Sequence, residues 1–199
     1  MPHVVDSDST SADPAEQFQA GLDALRLTSF PNDITIVETP APKRLAPQGI
    51  ALTADLEDPD DPEADESLAS GRLVILHDPA GVDEWDGTTR AVLFMRTLVE
   101  SEVAEDPMLP EVAWTWLHEA LERHGADWRE ESGTITRTSS QTFGGLAGTE
   151  SPGAVEIRAS WTFDGSLVAQ VRAWVDLLRI TAGQPVLPAA VTPLRPRLQ

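Results

Sequence analysis

His77 and Asp78 stand where the apolar run Leu73 to Leu76 ends, and Asp83, Glu84, Asp86 and Arg90 follow closely. A histidine beside carboxylates has the parts of a general base, because a carboxylate on one ring nitrogen orients the imidazole and leaves the other free to take a proton. In that reading His77 is the base, Asp78 or Asp83 orients it, and Arg90 holds an anionic small molecule. The same residues also have roles without chemistry. Asp78-Pro79-Ala80-Gly81 has the composition of a β-turn: Asp bonds its own backbone, Pro fixes φ and Gly permits the return. Asp83, Glu84 and Asp86 suit a helix start, where the macrodipole stabilises negative charge. Turn and cap roles account for all of the spacing, so the reading leans away from an enzyme and assigns no catalytic residue. A ligand-binding site at His77, Asp78, Asp83 and Arg90 is the alternative.

Other stretches approach known chemistry and stop short. "HEALERH", His118 to His124, has Glu122 where a zinc helix of the H-E-x-x-H type needs its second histidine, so an exposed His-Glu pair on a helix is the expectation. His124 suits the negative end of that helix. The run "DPDDPEADES" lacks the glycine and the bidentate glutamate of a calcium loop and reads as a solvated acidic loop. "FGGLAG" does not carry a strand into a helix and is no dinucleotide fingerprint. Cysteine and tyrosine are absent, which removes disulfides, thiolate chemistry and phenolic acids or bases. No metal site and no cofactor is implied. Thr134, Thr136, Thr138, Ser140 and Thr142 beside Glu156, Arg158, Ser160 and Thr162 form a hydroxyl-rich strand face, which is expected to meet solvent. Trp116, Trp161 and Trp174 fall on inner faces, while Trp114 lies one turn from His118 near a helix edge.

The net charge of −19 over 199 residues repels phosphate backbones, so direct nucleic-acid binding and anionic membranes are disfavoured. The absence of a signal-like leader or spanning apolar run points to the cytoplasm. With 41% apolar residues the chain can bury a sizeable core.

The elements follow from periodicity and punctuation. Asp13-Pro14-Ala15-Glu16 opens a helix that ends near Leu27, with Phe18, Leu22 and Leu25 on one face. Strands follow at 34–38, 50–56 and 71–77, the third apolar on both sides, as in a strand covered on both faces. The proline-rich 39–47 connection reads as an extended surface loop. A long helix is expected from about Asp86 to Ala104, with Ala91, Val92, Met95, Leu98, Val99 and Val103 inward. A second helix runs from Pro110 to Gly125, strands occupy 133–143 and 154–163, and a last helix spans Ser166 to Thr181. This predicts a single α+β domain at 13–184, with a largely antiparallel sheet, helices on one face and the order α-β-β-β-α-α-β-β-α. It carries an acidic loop at 57–67, between a disordered tail at 1–12 and a proline-rich tail at 185–199.

Several stretches together carry a resemblance: "PAPKRLAPQGIALTADL", "SGRLVILHDPAGVDEWDGTTR", "DPMLPEVAWTWLHEAL", "GTITRTSSQTFGGL" and "VEIRASWTF". In this order they resemble the actinobacterial domain-of-unknown-function family 3000. The resemblance implies a bacterial cytosolic protein and brings no catalytic or binding residues. It links the chain to RNA-processing machinery only through a family gene neighbourhood that includes a ribonuclease D-like exonuclease. The element order is also similar to that of type III secretion chaperones, a likeness of fold that does not give function. The functional expectation is a non-catalytic adaptor or chaperone-like module presenting an acidic, partly apolar surface to an unidentified protein partner.

Overall fold

Asp13 opens the first helix as its sequence dictates: its Oδ1 accepts from the Ala15 amide at 3.2 Å, and Pro14 occupies the position whose amide has no helical partner. This helix, α1 (Pro14–Arg26), buries Phe18, Leu22 and Leu25. The elements after it are β1 (Ile34–Thr39), β2 (Gln48–Leu56), β3 (Ala69–Val82), β4 (Gly87–Val99), a short α2 (Ser101–Glu105), α3 (Leu109–Arg123), β5 (Arg129–Thr138), β6 (Gly153–Thr162) and α4 (Leu167–Thr181). The computed structural model describes residues 13–58, 66–148 and 151–185. The expected tail 1–12, residues 59–65 of the acidic loop and residues 186–199 of the proline-rich tail lie outside the described residues.

The six strands form one antiparallel sheet in the order β1-β2-β3-β4-β6-β5. Helices α1, α3 and α4 share one side of it, so the architecture is a single α+β domain with its helices on one face. Helix α4 packs on β2, β3 and β4, and its Trp174 reaches the sheet at Gly71. A β-carbon there would stand 3.1 Å from Trp174 Nε1 and 3.2 Å from the Phe94 carbonyl, so a glycine admits the indole to the sheet. The helix-side core is filled by alternate residues of each strand: Ile50, Leu52 and Leu56 from β2, Leu73 and Ile75 from β3, Ala91, Leu93 and Met95 from β4, and Val155, Ile157 and Trp161 from β6. Several buried polar groups there have partners, and Trp174 Nε1 has none among the described residues. Trp161 Nε1 donates to Gln170 Oε1 at 2.9 Å, Gln170 Nε2 donates to the Asp127 carbonyl at 2.8 Å, and the Thr97 and Thr181 hydroxyls meet at 2.9 Å.

The long helix expected from about Asp86 to Ala104 is corrected by the structure. That stretch is β4, paired along its length with β3 on one side and β6 on the other, and only Ser101–Glu105 is helical. The order is therefore α-β-β-β-β-α-α-β-β-α. The physical reason is that β4 is apolar on both faces, with Ala91, Leu93 and Met95 inward and Val92, Phe94 and Leu98 outward. A helical stripe can be drawn through such a segment as readily as a strand alternation. Two-sided pairing and the β-branched or aromatic Thr88, Thr89, Val92, Phe94 and Thr97 favour the strand.

The 40–47 connection also does more than bridge two strands. Its Ala41 and Ala46, with Trp85, pack on Ala51, Val74 and Leu76 at one end of the face opposite the helices. This cover explains why Leu73 to Leu76 is apolar without interruption. Leu73 and Ile75 face the helices, and Val74 and Leu76 face the loop.

Candidate functional site

His77 is paired with Thr89 across the β3–β4 ladder and with Gln48 across β2–β3, and its side chain points to the helical side. It is 4% exposed. Its ring lies flat on Phe18 of α1, with centroids 4.6 Å apart and planes within 4°, and Nδ1 meets the Thr89 hydroxyl at 2.9 Å. Nε2 is buried without a hydrogen-bond partner, as is Oε1 of Gln48. Burial pushes the His77 pKa below its ordinary value, only partly offset by the Asp78 charge and the Pro14 backbone, so the imidazole is neutral at pH 7.

The other three residues of the sequence-derived cluster go elsewhere. Asp78 Oδ1 accepts from the Ala80 amide at 3.0 Å and Gly81 takes a φ of +80°, but the expected β-turn at 78–81 is instead an irregularity within β3, which runs on to Val82 and pairs there with Gly87. Asp83 starts a single three-residue 3-10 turn, Asp83–Trp85, in place of a long helix. Arg90 pairs with Leu76 and Thr162 in the ladders, so it lies on the sheet face opposite His77. Its guanidinium donates to Ser160 Oγ at 2.8 Å, Thr162 Oγ1 at 3.0 Å and the Glu130 carbonyl at 2.9 Å. Arg129 does similar work nearby, donating to the Asp86 carbonyl at 2.9 Å and to the Asp164 carboxylate. Asp86 and Glu130 are the two non-glycine residues with positive φ, 52° and 49° among the described residues, and each has its carbonyl held by one of these arginines. The two cations thus hold the tip of the β3–β4 hairpin against the start of β5 in a backbone shape that costs about 1–3 kcal/mol per residue.

The face opposite the helices has a second part that nothing covers among the described residues. Directly paired residues share a face, which gives one row Val37-Thr53-Arg72-Phe94-Arg158-Thr134 and the next Asp55-Ser70-Arg96-Glu156-Thr136. A third row, Ala51-Val74-Val92-Ser160-Ser132, begins under the 40–47 loop and emerges at Val92. Phe94 is 40% exposed, and the Arg158 guanidinium lies 5.3 Å from its ring centroid. Glu156 sits between Arg96 and Arg158, 3.4 Å from each. With Arg72 and Arg90, this face collects four arginines against Asp55 and Glu156 in a chain of net charge −19.

The family model described as "Protein of unknown function (DUF3000)" matches residues 14–192. The chain belongs to the DUF3000 family. No curated protein and no solved structure matches it.

His118 and His124 of this DUF3000 protein join elements together. His118 is not an exposed partner of Glu122. It stacks on Trp128, with ring planes within 14°, and meets Trp114 edge-on, both at 5.5 Å. That Trp114 in turn presses on Gly133 of β5, where a β-carbon would come within 2.6 Å of the indole. His124 Nε2 donates to Asp176 Oδ2 at 2.7 Å, and Arg123 lies 3.6 Å from the same oxygen, so the end of α3 is fastened to α4. Among the described residues no three His, Asp or Glu side chains form a metal-holding group, and no helix is long and apolar enough to cross a membrane.

The hydroxyl-rich face of the DUF3000 sheet is real as far as Thr138, where β5 ends. Ser140 and Thr142 lie beyond the strand. Sequence reading missed Arg72, Phe94 and Arg96, which complete that face. The signal was the period-two alternation Val92, Phe94, Arg96 against Leu93, Met95, Thr97, hidden by the helical reading.

Proposed function

We propose that the protein is a cytoplasmic, non-catalytic interaction module that uses the uncovered part of its sheet to hold an acidic segment of a protein partner. One observation carries the reading: Arg72, Arg96 and Arg158 gather around the exposed Phe94 on a face that no helix covers among the described residues, in a strongly acidic chain. Charge complementarity selects the partner's sign, and the exposed ring beside cationic stems offers an apolar anchor of the kind that dominates interface energetics. The surface expected from composition was acidic; the face put forward here is basic, and the general negative charge keeps weakly acidic competitors away. A single-stranded nucleic acid is less favoured, because such platforms stack successive bases on several aromatics, whereas Phe94 stands alone and already carries Arg158.

A photo-crosslinking phenylalanine analogue at position 94, activated in cells, tests the reading; Leu27, 87% exposed, serves as the control position. The expected adduct joins position 94 to an acidic protein segment and disappears in the Arg72→Glu/Arg158→Glu variant. An adduct with RNA, an adduct that survives the charge reversal, or none at position 94 would overturn it.

Of the four residues put forward from sequence as a ligand site, only His77 combines burial with an unpartnered polar atom. It supports a second, separate site.

A further inference from the structure

Beside His77, α1 and the segment 40–49 leave a cleft of about 500 Å³. We propose that this cleft binds a small amphipathic acid: an apolar body with an anionic group at the mouth and a hydrogen-bond donor at the inner end. The volume falls in the range typical of small-molecule sites, roughly 300–1,000 Å³. Phe18 and Leu22 form one wall, and Ala41, Ala46 and Pro47 form the other.

Two features define the ligand. At the inner end Gln48 lines the cleft and faces the helical side beside its ladder partner His77, and its Oε1 is a buried acceptor with nothing to accept. A buried acceptor without a protein donor favours a ligand N–H or O–H. His77 does not line the cleft; its ring stacks on the far side of Phe18 and so reports on that wall. At the mouth are Arg26 and Lys43, the only lysine of the chain. Arg26 is engaged by Glu38 at 3.0 Å and Asp23 at 3.4 Å, whereas among the described residues no carboxylate lies within ion-pair reach of Lys43. An uncompensated ammonium at the entrance of an apolar cleft, in a chain otherwise rich in carboxylates, favours an anionic end group. Of the sequence-derived cluster only His77 adjoins the site, behind the Phe18 wall and beside Gln48, while Asp78, Asp83 and Arg90 have no part in it.

The probe is 8-anilinonaphthalene-1-sulfonate, which has an aromatic body, an anilino N–H and a sulfonate; naphthalene-1-sulfonate, without the N–H, is its comparator. Fluorescence titration of the folded full chain is expected to show saturable one-to-one binding, with the His77 ring-nitrogen resonances shifting along the same isotherm. Lys43→Glu should weaken binding about tenfold or more, and Arg158→Glu, on the other face, should leave it unchanged. Omitting the N–H should cost the wild type about tenfold and cost Gln48→Leu nothing, as for one lost hydrogen bond. Non-saturable binding, no response of His77, indifference to Lys43→Glu, or an equal N–H effect in Gln48→Leu would overturn the site. The last two outcomes would assign the orphaned atoms to buried water instead.

Discussion

Leu93 and Phe94 are neighbours in β4 and have opposite surroundings. Leu93 is 2% exposed among Trp161, Ile157 and the helices, while Phe94 is 40% exposed under a single guanidinium. The same contrast holds for the whole sheet. One face is closed by three helices; among the described residues the other is closed only where the 40–47 loop and Trp85 reach, and is basic and partly apolar beyond them. A protein this acidic has ample means to cover a sheet face with carboxylates. That it places Arg72, Arg96 and Arg158 around Phe94 instead separates residues that stabilise the body from residues available to a partner.

The difference should be largest in stability. Leu93→Ala removes helix-side core and is expected to cost about 2–5 kcal/mol in denaturant unfolding. A cost under 1 kcal/mol would mean that the two faces are not distinguished in this way. Asp176 comes next: its side chain is 9% exposed and fastens both His124 and Arg123 to α4. Asp176→Ala should cost about 1–3 kcal/mol, through the donors it strands at the α3–α4 junction, and His124→Ala in the same background should add little. Full additivity of the two substitutions would show that the contact is not the source.

A smaller effect depends on pH. Because burial holds His77 below its ordinary value of 6.5, the unfolded chain takes up this proton first as the pH falls. The His77 contribution is therefore complete above pH 6.5 and declines below it until the folded-state pKa is reached. His77→Phe preserves the stack on Phe18 and cannot titrate, so its unfolding free energy should fall less steeply than that of the wild type just below pH 6.5. Parallel slopes would show that His77 takes up its proton in the folded state.

Much of this body can be read from the chain where one physical signal acts alone. Asp13-Pro14 and Ser166 cap helices as their types require, and the alternation of β6 gives its dry and polar faces correctly. β4 defeats that reading because it is apolar on both sides, for two reasons: a core on one face and an uncovered patch on the other. The error propagates to the site. Whether His77 and Arg90 share a face depends on the β3–β4 register, which cannot be considered while residues 86–104 are taken as a helix. The burial of His77 was foreshadowed by the doubly apolar Leu73 to Leu76. Its orphaned Nε2 and the neighbouring Gln48 arise only when β2, β3 and α1 are brought together.

The most direct measurement is made on Phe94→Ala/Arg158→Ala, with unfolding free energy and partner crosslinking from an analogue at Val92 determined on the same protein. The account expects a stability change under about 1 kcal/mol, as for a half-exposed ring and its surface cation, together with loss of the acidic adduct. A double variant that is strongly destabilised, or one that keeps the adduct, would contradict it.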